Sequence, residues 1–199
     1  MPGLILRAMR IIVHPSREWA AIAHEPGNAL HVLLRYLVPL GLIAPIANAF
    51  GVLIAPDDAL RAFPDSSVAL QFVLLVWGGF LTQLLGMLIV ALVLYLVMPL
   101  YEQPRNLGPA ITVVAYAGTP IWLAGIVLLA PVQRFPILVV IILVGLMHGA
   151  YLFYLGLHHI AKVREREAAE CTAVVVFVSL VLSTAVGYLG GAAGLFPHP

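Results

Sequence analysis

The chain has 199 residues, of which 62% are hydrophobic and only 10% charged, with a formal net charge of +1. A soluble domain carries about 25% charged residues, so there is too little charge here to coat a water-facing surface. The near-neutral balance also points away from nucleic acid and from acidic partners. The one cysteine, Cys171, has no partner for an intramolecular disulfide and no zinc-type spacing, and reads as a small apolar filler.

Residues 3–31 come first. Ile5, Met9, Ile12 and Val13 recur at helical spacing, with Arg7, Arg10 and His14 between them. Leu4-Ile5-Leu6 is too short, and too soon broken by arginine, for a signal-peptide core. Pro15 breaks the pattern, and a second short helix carries Trp19 and Ile22 on one side. Neither piece is long enough to span. Both are predicted to be cytoplasmic interfacial helices, with Arg7, Arg10, Trp19 and, at the start of the first span, Arg35 at lipid headgroups.

Residues 33–195 are predicted to form a five-span membrane domain, with spans at about 33–54, 68–100, 107–130, 137–157 and 172–195. In the first, Pro45 frees the carbonyl of Gly41. The second is long for one span, so it must tilt, kink near Gly78-Gly79 or project beyond the bilayer. Its Gly78, Thr82 and Gly86 recur every four residues, as do Gly145 and Gly149 in the fourth span and Gly187 and Gly191 in the fifth. Such rows let helix backbones approach closely in lipid. The third span holds Tyr116-Ala117-Gly118-Thr119-Pro120-Ile121-Trp122. Pro120 cannot donate to the Tyr116 carbonyl, so a kinked helix is predicted there, buried in the bundle, with another group satisfying that oxygen.

The fold class is therefore an all-α membrane protein, a five-helix bundle preceded by one or two amphipathic interfacial helices. Orientation follows from basic residues. The arm through Arg35 has Arg7, Arg10, Arg17 and Arg35. Arg105 and the run Lys162, Arg164 and Arg166 share its side, whereas Arg61 and Arg134 lie opposite. This places the N-terminus in the cytoplasm and the C-terminus outside.

No acidic residue and no lysine or arginine lies deep in a span, which disfavours an ion-coupled transporter. The deep polar groups are Asn48, Gln83, Tyr116, Thr119 and His148. They are read as an interhelical hydrogen-bond cluster in which Tyr116 or Gln83 bonds His148. A small-solute channel or transporter lined by these groups is the alternative. His148, His158 and His159 share no carboxylate and no ligand spacing, so no metal site and no other cofactor is expected. No nucleophile–base spacing and no phosphate-binding loop appears, so no catalytic residue is assigned. The expected partners are membrane lipids, another copy of the chain or another membrane protein.

Several segments together resemble bacterial members of the Yip1 family: Pro15-x-x-x-Trp19, Tyr36-x-x-Pro39-Leu40, Ala115-Tyr116-Ala117-Gly118-Thr119-Pro120-x-Trp122, and Tyr151-Leu152-x-Tyr154-Leu155-Gly156-Leu157, followed by Thr172 and a valine run. The resemblance covers about residues 10 to 187. Cys171 departs from it, standing where a tyrosine-like residue is expected. The resemblance implies a five-helix domain of the bacterial inner membrane with a cytoplasmic N-terminal region. Eukaryotic relatives are linked to small Rab-type GTPases and membrane shaping, a role that depends on vesicle traffic and is not carried over to this chain.

Overall fold

Proline and glycine divide an almost continuous apolar sequence into helices. The computed structural model describes residues 3–25, 29–54, 67–130 and 135–192, with only the backbone described at 187 and 189–192. Asp57, Asp58, Arg61 and Asp65 of the loop after the first span, and Arg134, lie outside the described residues. Every regular element among those described is helical. Helices α1 (Leu4–Val13) and α2 (Pro15–Ala23) form an N-terminal arm. Pro15 takes the first position of α2, where its missing N–H is least felt. Five longer helices follow, each long and apolar enough to cross a membrane: Ala29–Ile54, Val68–Tyr101, Leu107–Leu129, Ile137–His159 and Glu165–Val186. They are the first to fifth spans below. The architecture is the predicted all-α five-helix bundle behind two short helices.

Local chemistry explains where these helices bend. A π-turn at Leu33–Leu37 precedes Pro39, and the Val38 N–H reaches back to the Leu33 carbonyl. Further along, Pro45 cannot serve the Gly41 carbonyl. Gln83 Nε2, from the second span, donates to that oxygen at 3.0 Å instead. The second span runs as unbroken α-helix from Val68 to Val97 and ends in a 3-10 turn at Met98–Tyr101. Gly78-Gly79 does not interrupt it. At 1.5 Å per residue its α-helical part is about 45 Å long. The last helix begins at Glu165 rather than near Thr172, with Glu165 and Glu167 in its first turn, where the helix dipole favours acids.

The third span lies at the centre. Of its apolar window 61% is buried, against 17–39% for the other spans. It packs against the first, second and fourth spans and against the arm, whereas the fifth leans on the second and fourth. Glycine marks the close approaches. A Cβ at Gly149 would lie 3.0 Å from the Ala117 oxygen, and one at Gly145 would lie 3.1 Å from the Pro120 oxygen. The fourth span's Gly145 and Gly149 thus fit against the third span. Gly78 and Gly86 do not pack in this way. A Cβ at either would meet open space, and Thr82 is exposed. Thr82 and Gly86 instead line a cleft shared with Ser183 and Val186 of the fifth span, and the close approach falls on Gly79, where a Cβ would lie 3.3 Å from Pro45 Cβ. The surroundings of Gly187 and Gly191 lie outside the described side chains.

Candidate functional site

The site is built outward from the break in the third span. Its α-helix Leu107–Ala117 stops at Gly118, resumes over Thr119–Ala124 and tightens to a 3-10 turn at Gly125–Leu129. The Tyr116 carbonyl, which Pro120 cannot serve, accepts from the Thr119 hydroxyl at 2.7 Å. That uses the hydroxyl proton, so the Tyr36 hydroxyl is the donor in its 2.8 Å bond to Thr119 Oγ1. Trp122 lies across Gly118, where a Cβ would come within 2.6 Å of the indole. Tyr116, Thr119, Pro120 and Trp122 are all buried. This break in the helix is thus enclosed by buried side chains.

The arm completes this centre. Arg7 Nη1 donates to the Tyr116 hydroxyl at 3.1 Å. The same guanidinium grips Glu25 with both terminal nitrogens, Nη1 to Oε2 at 2.7 Å and Nη2 to Oε1. Its Nε faces Glu18 Oε1 at 3.3 Å. Hydrogen bonding to Glu25 raises the Arg7 pKa above its ordinary value, outweighing the opposing effect of burial. The same bond holds the Glu25 carboxyl below the ordinary carboxylate range. Trp19 is fully buried, edge-on to Tyr116 at 5.9 Å between ring centres. It rests on Gly156, where a Cβ would lie 2.8 Å from the indole. The Tyr36 ring closes the stack, 4.3 Å from Tyr116.

Two of the four residues expected at headgroups are therefore interior. Arg7 and Trp19 face the bundle, because Glu18 and Glu25 compensate the arginine inside the arm and Gly156 makes room for the indole. Arg10 and Arg35 are exposed. The expected five-member polar cluster also divides. Tyr116 and Thr119 adjoin, whereas Gln83 serves the first span's Gly41. Asn48 is half-buried, with no side-chain hydrogen bond among the described residues. His148 makes neither expected bond; its ring lies 6.0 Å from Tyr151, and its buried Nε2 has no described partner. His158 and His159 turn Nδ1 to backbone, donating to the Val163 and Leu155 carbonyls at 3.3 and 2.9 Å. Sequence reasoning missed Glu18, Glu25 and Tyr36. The available signal was the arm's own charge balance, two acids set against an arginine that shares a side with Ala8 and Ile11.

The family model of the Yip1 domain matches residues 9–187. The chain belongs to the Yip1 family. No curated protein and no solved structure matches it. In this Yip1 protein the segments that carry the resemblance pack together. Trp19 and Tyr36 lie against the Tyr116 ring, Thr119 and Trp122 flank the helix break, and Gly156 lies beneath the Trp19 indole. Cys171 is fully buried, and the neighbouring Thr172 hydroxyl bonds back to the Ala168 carbonyl at 2.7 Å.

Proposed function

We propose that this Yip1 protein is a non-enzymatic membrane protein that organises or scaffolds the bilayer by binding lipids or membrane-protein partners. The observation that carries the reading is the two-sidedness of the arm. One side of α1 is locked into the bundle through Arg7, Ala8 and Ile11. The other leaves Ile5, Leu6, Met9 and Val13 exposed beside Arg10 and His14. An apolar strip with a basic edge suits the boundary between acyl chains and anionic headgroups. On the inner side Arg7, Glu18, Glu25 and Tyr116 are engaged with one another, with no nucleophile–base pair among these described residues. Gln83 serves Gly41, Tyr116 bonds Arg7 and His148 lies against Tyr151, so the three do not form the one cluster the channel reading needs.

In this reading the membrane is the bacterial inner membrane, with the arm cytoplasmic and the C-terminus periplasmic. Supporting it, the basic regions gather at one end of the bundle. Arg164 approaches Glu102 at 3.6 Å, and α2 borders the segment His158 to Arg164. An active periplasmic alkaline phosphatase fused after Arg166 would overturn that orientation. The function is tested by purification from native membranes. Specific lipids, a partner protein or a second copy should be retained, and recovery of none of them overturns the proposal.

A further inference from the structure

A cleft of about 280 Å³ lies at the corner between α1 and α2, lined by Arg10, His14, Arg17, Glu18 and Ala21. Arg10 lies in the last turn of α1, His14 is the junction residue between the two helices, and Arg17 comes from the first turn of α2. All three are exposed, and none has a side-chain hydrogen bond or ion pair among the described residues. The remaining charged wall, Glu18, faces Arg7 Nε at 3.3 Å, so its charge is already offset. Two guanidiniums thus share a cleft with no carboxylate of their own. The cleft at His24, His158, His159 and Lys162 differs, because its arginine, Arg164, is occupied by Glu167 and Glu102.

A guanidinium fork matches phosphate or carboxylate oxygens. What adjoins the cleft decides between ligand classes. Arg10 follows Met9 of the Ile5–Met9–Val13 row, about 100° around the helix from it, and His14 follows Val13 at the helix end. Ile5, Met9 and Val13 in that row are 73%, 56% and 64% exposed. Cations beside an apolar strip fit an amphiphile rather than a small soluble anion. We propose that the α1–α2 corner binds an anionic phospholipid, with Arg10 and Arg17 holding its phosphate and the Ile5–Met9–Val13 strip lying along its acyl chains. His14 adds a donor to the same phosphate. This site rests on the lipid-binding reading above and names its ligand class.

The test uses the full chain in detergent with equal amounts of phosphatidylglycerol and phosphatidylcholine, read by native mass spectrometry. The wild type should retain phosphatidylglycerol in preference. In Arg10→Gln/Arg17→Gln that retention should fall about thirtyfold, as two basic side chains at an anionic headgroup warrant, with phosphatidylcholine unchanged. Arg10→Lys/Arg17→Lys should keep most of it. Should the double variant fail to fold, Arg17→Gln alone carries the test, with about a fivefold loss. Undiminished phosphatidylglycerol in the glutamine variants overturns this site while the broader reading stands. A wild type that retains no lipid and no partner overturns both. Displacement of the lipid by millimolar inorganic phosphate overturns the phospholipid assignment in favour of a soluble anion.

Discussion

The second and third spans are both apolar helices with glycine near the middle, and they use it in opposite ways. In the third, Gly118 lies beneath Trp122, and the facing Gly145 and Gly149 admit its backbone. In the second, Gly78 and Gly86 meet open space. The second span is the more apolar, with a mean hydropathy of 2.5 against 1.8, yet it is the less buried. In a chain solvated by lipid, apolarity does not mark the inside. Polar groups that need partners, and glycines beneath large side chains, mark it.

The contrast can be broken or sharpened by substitution. Trp19→Ala should have the largest effect, about 3 kcal/mol or more in detergent unfolding, since it empties a fully buried site. Limited proteolysis should then cut the arm in the variant before the wild type. Gly156→Val should cost about 2 kcal/mol by overpacking against the same indole. Thr119→Val leaves both the Tyr116 carbonyl and the Tyr36 hydroxyl without their partner, and about 1 kcal/mol is expected. A Tyr36→Phe background should recover part of that loss.

Acid should loosen the arm as well. The Glu25 carboxyl is held below its ordinary value of 4.5, so its contribution is complete above that pH and lost as pH falls through the depressed value. Arm proteolysis should rise on acidification in the wild type. In Glu25→Gln it should already be raised at neutral pH and respond less to acid. The smallest effect is expected at Gly86→Ala, where open space lets the better helix former stabilise by about 0.5 kcal/mol. A clear loss of stability there would mean that a second copy or another protein covers this face.

The spans were legible because each is a long apolar run bounded by polar residues or proline. The break at Tyr116–Pro120 was legible because a proline in a membrane helix always leaves a carbonyl to satisfy. The arm was harder to read. Arg7 and Trp19 are residues that also suit headgroups, and their partners Tyr116 and Gly156 lie far along the chain. Only three-dimensional closure tells the two fates apart. The pair Gly78-Gly79 did not by itself imply a break, because glycine permits a bend without requiring one; the α-helix is continuous there, with Pro45 seated against Gly79. The early start of the last helix was hidden by its charges, which signal the end of a hydrophobic run and not the start of a helix.

The seat of Trp19 on Gly156 constrains how the protein is made. The arm leaves the ribosome before the spans it docks against, and the tyrosine that receives Arg7 is 109 residues behind it. The glycine beneath the indole follows later still. Until the third and fourth spans are inserted, the arm has no place to dock, and Arg7 has only its own acids and the membrane surface for company. The arm is therefore fixed only after most of the bundle exists.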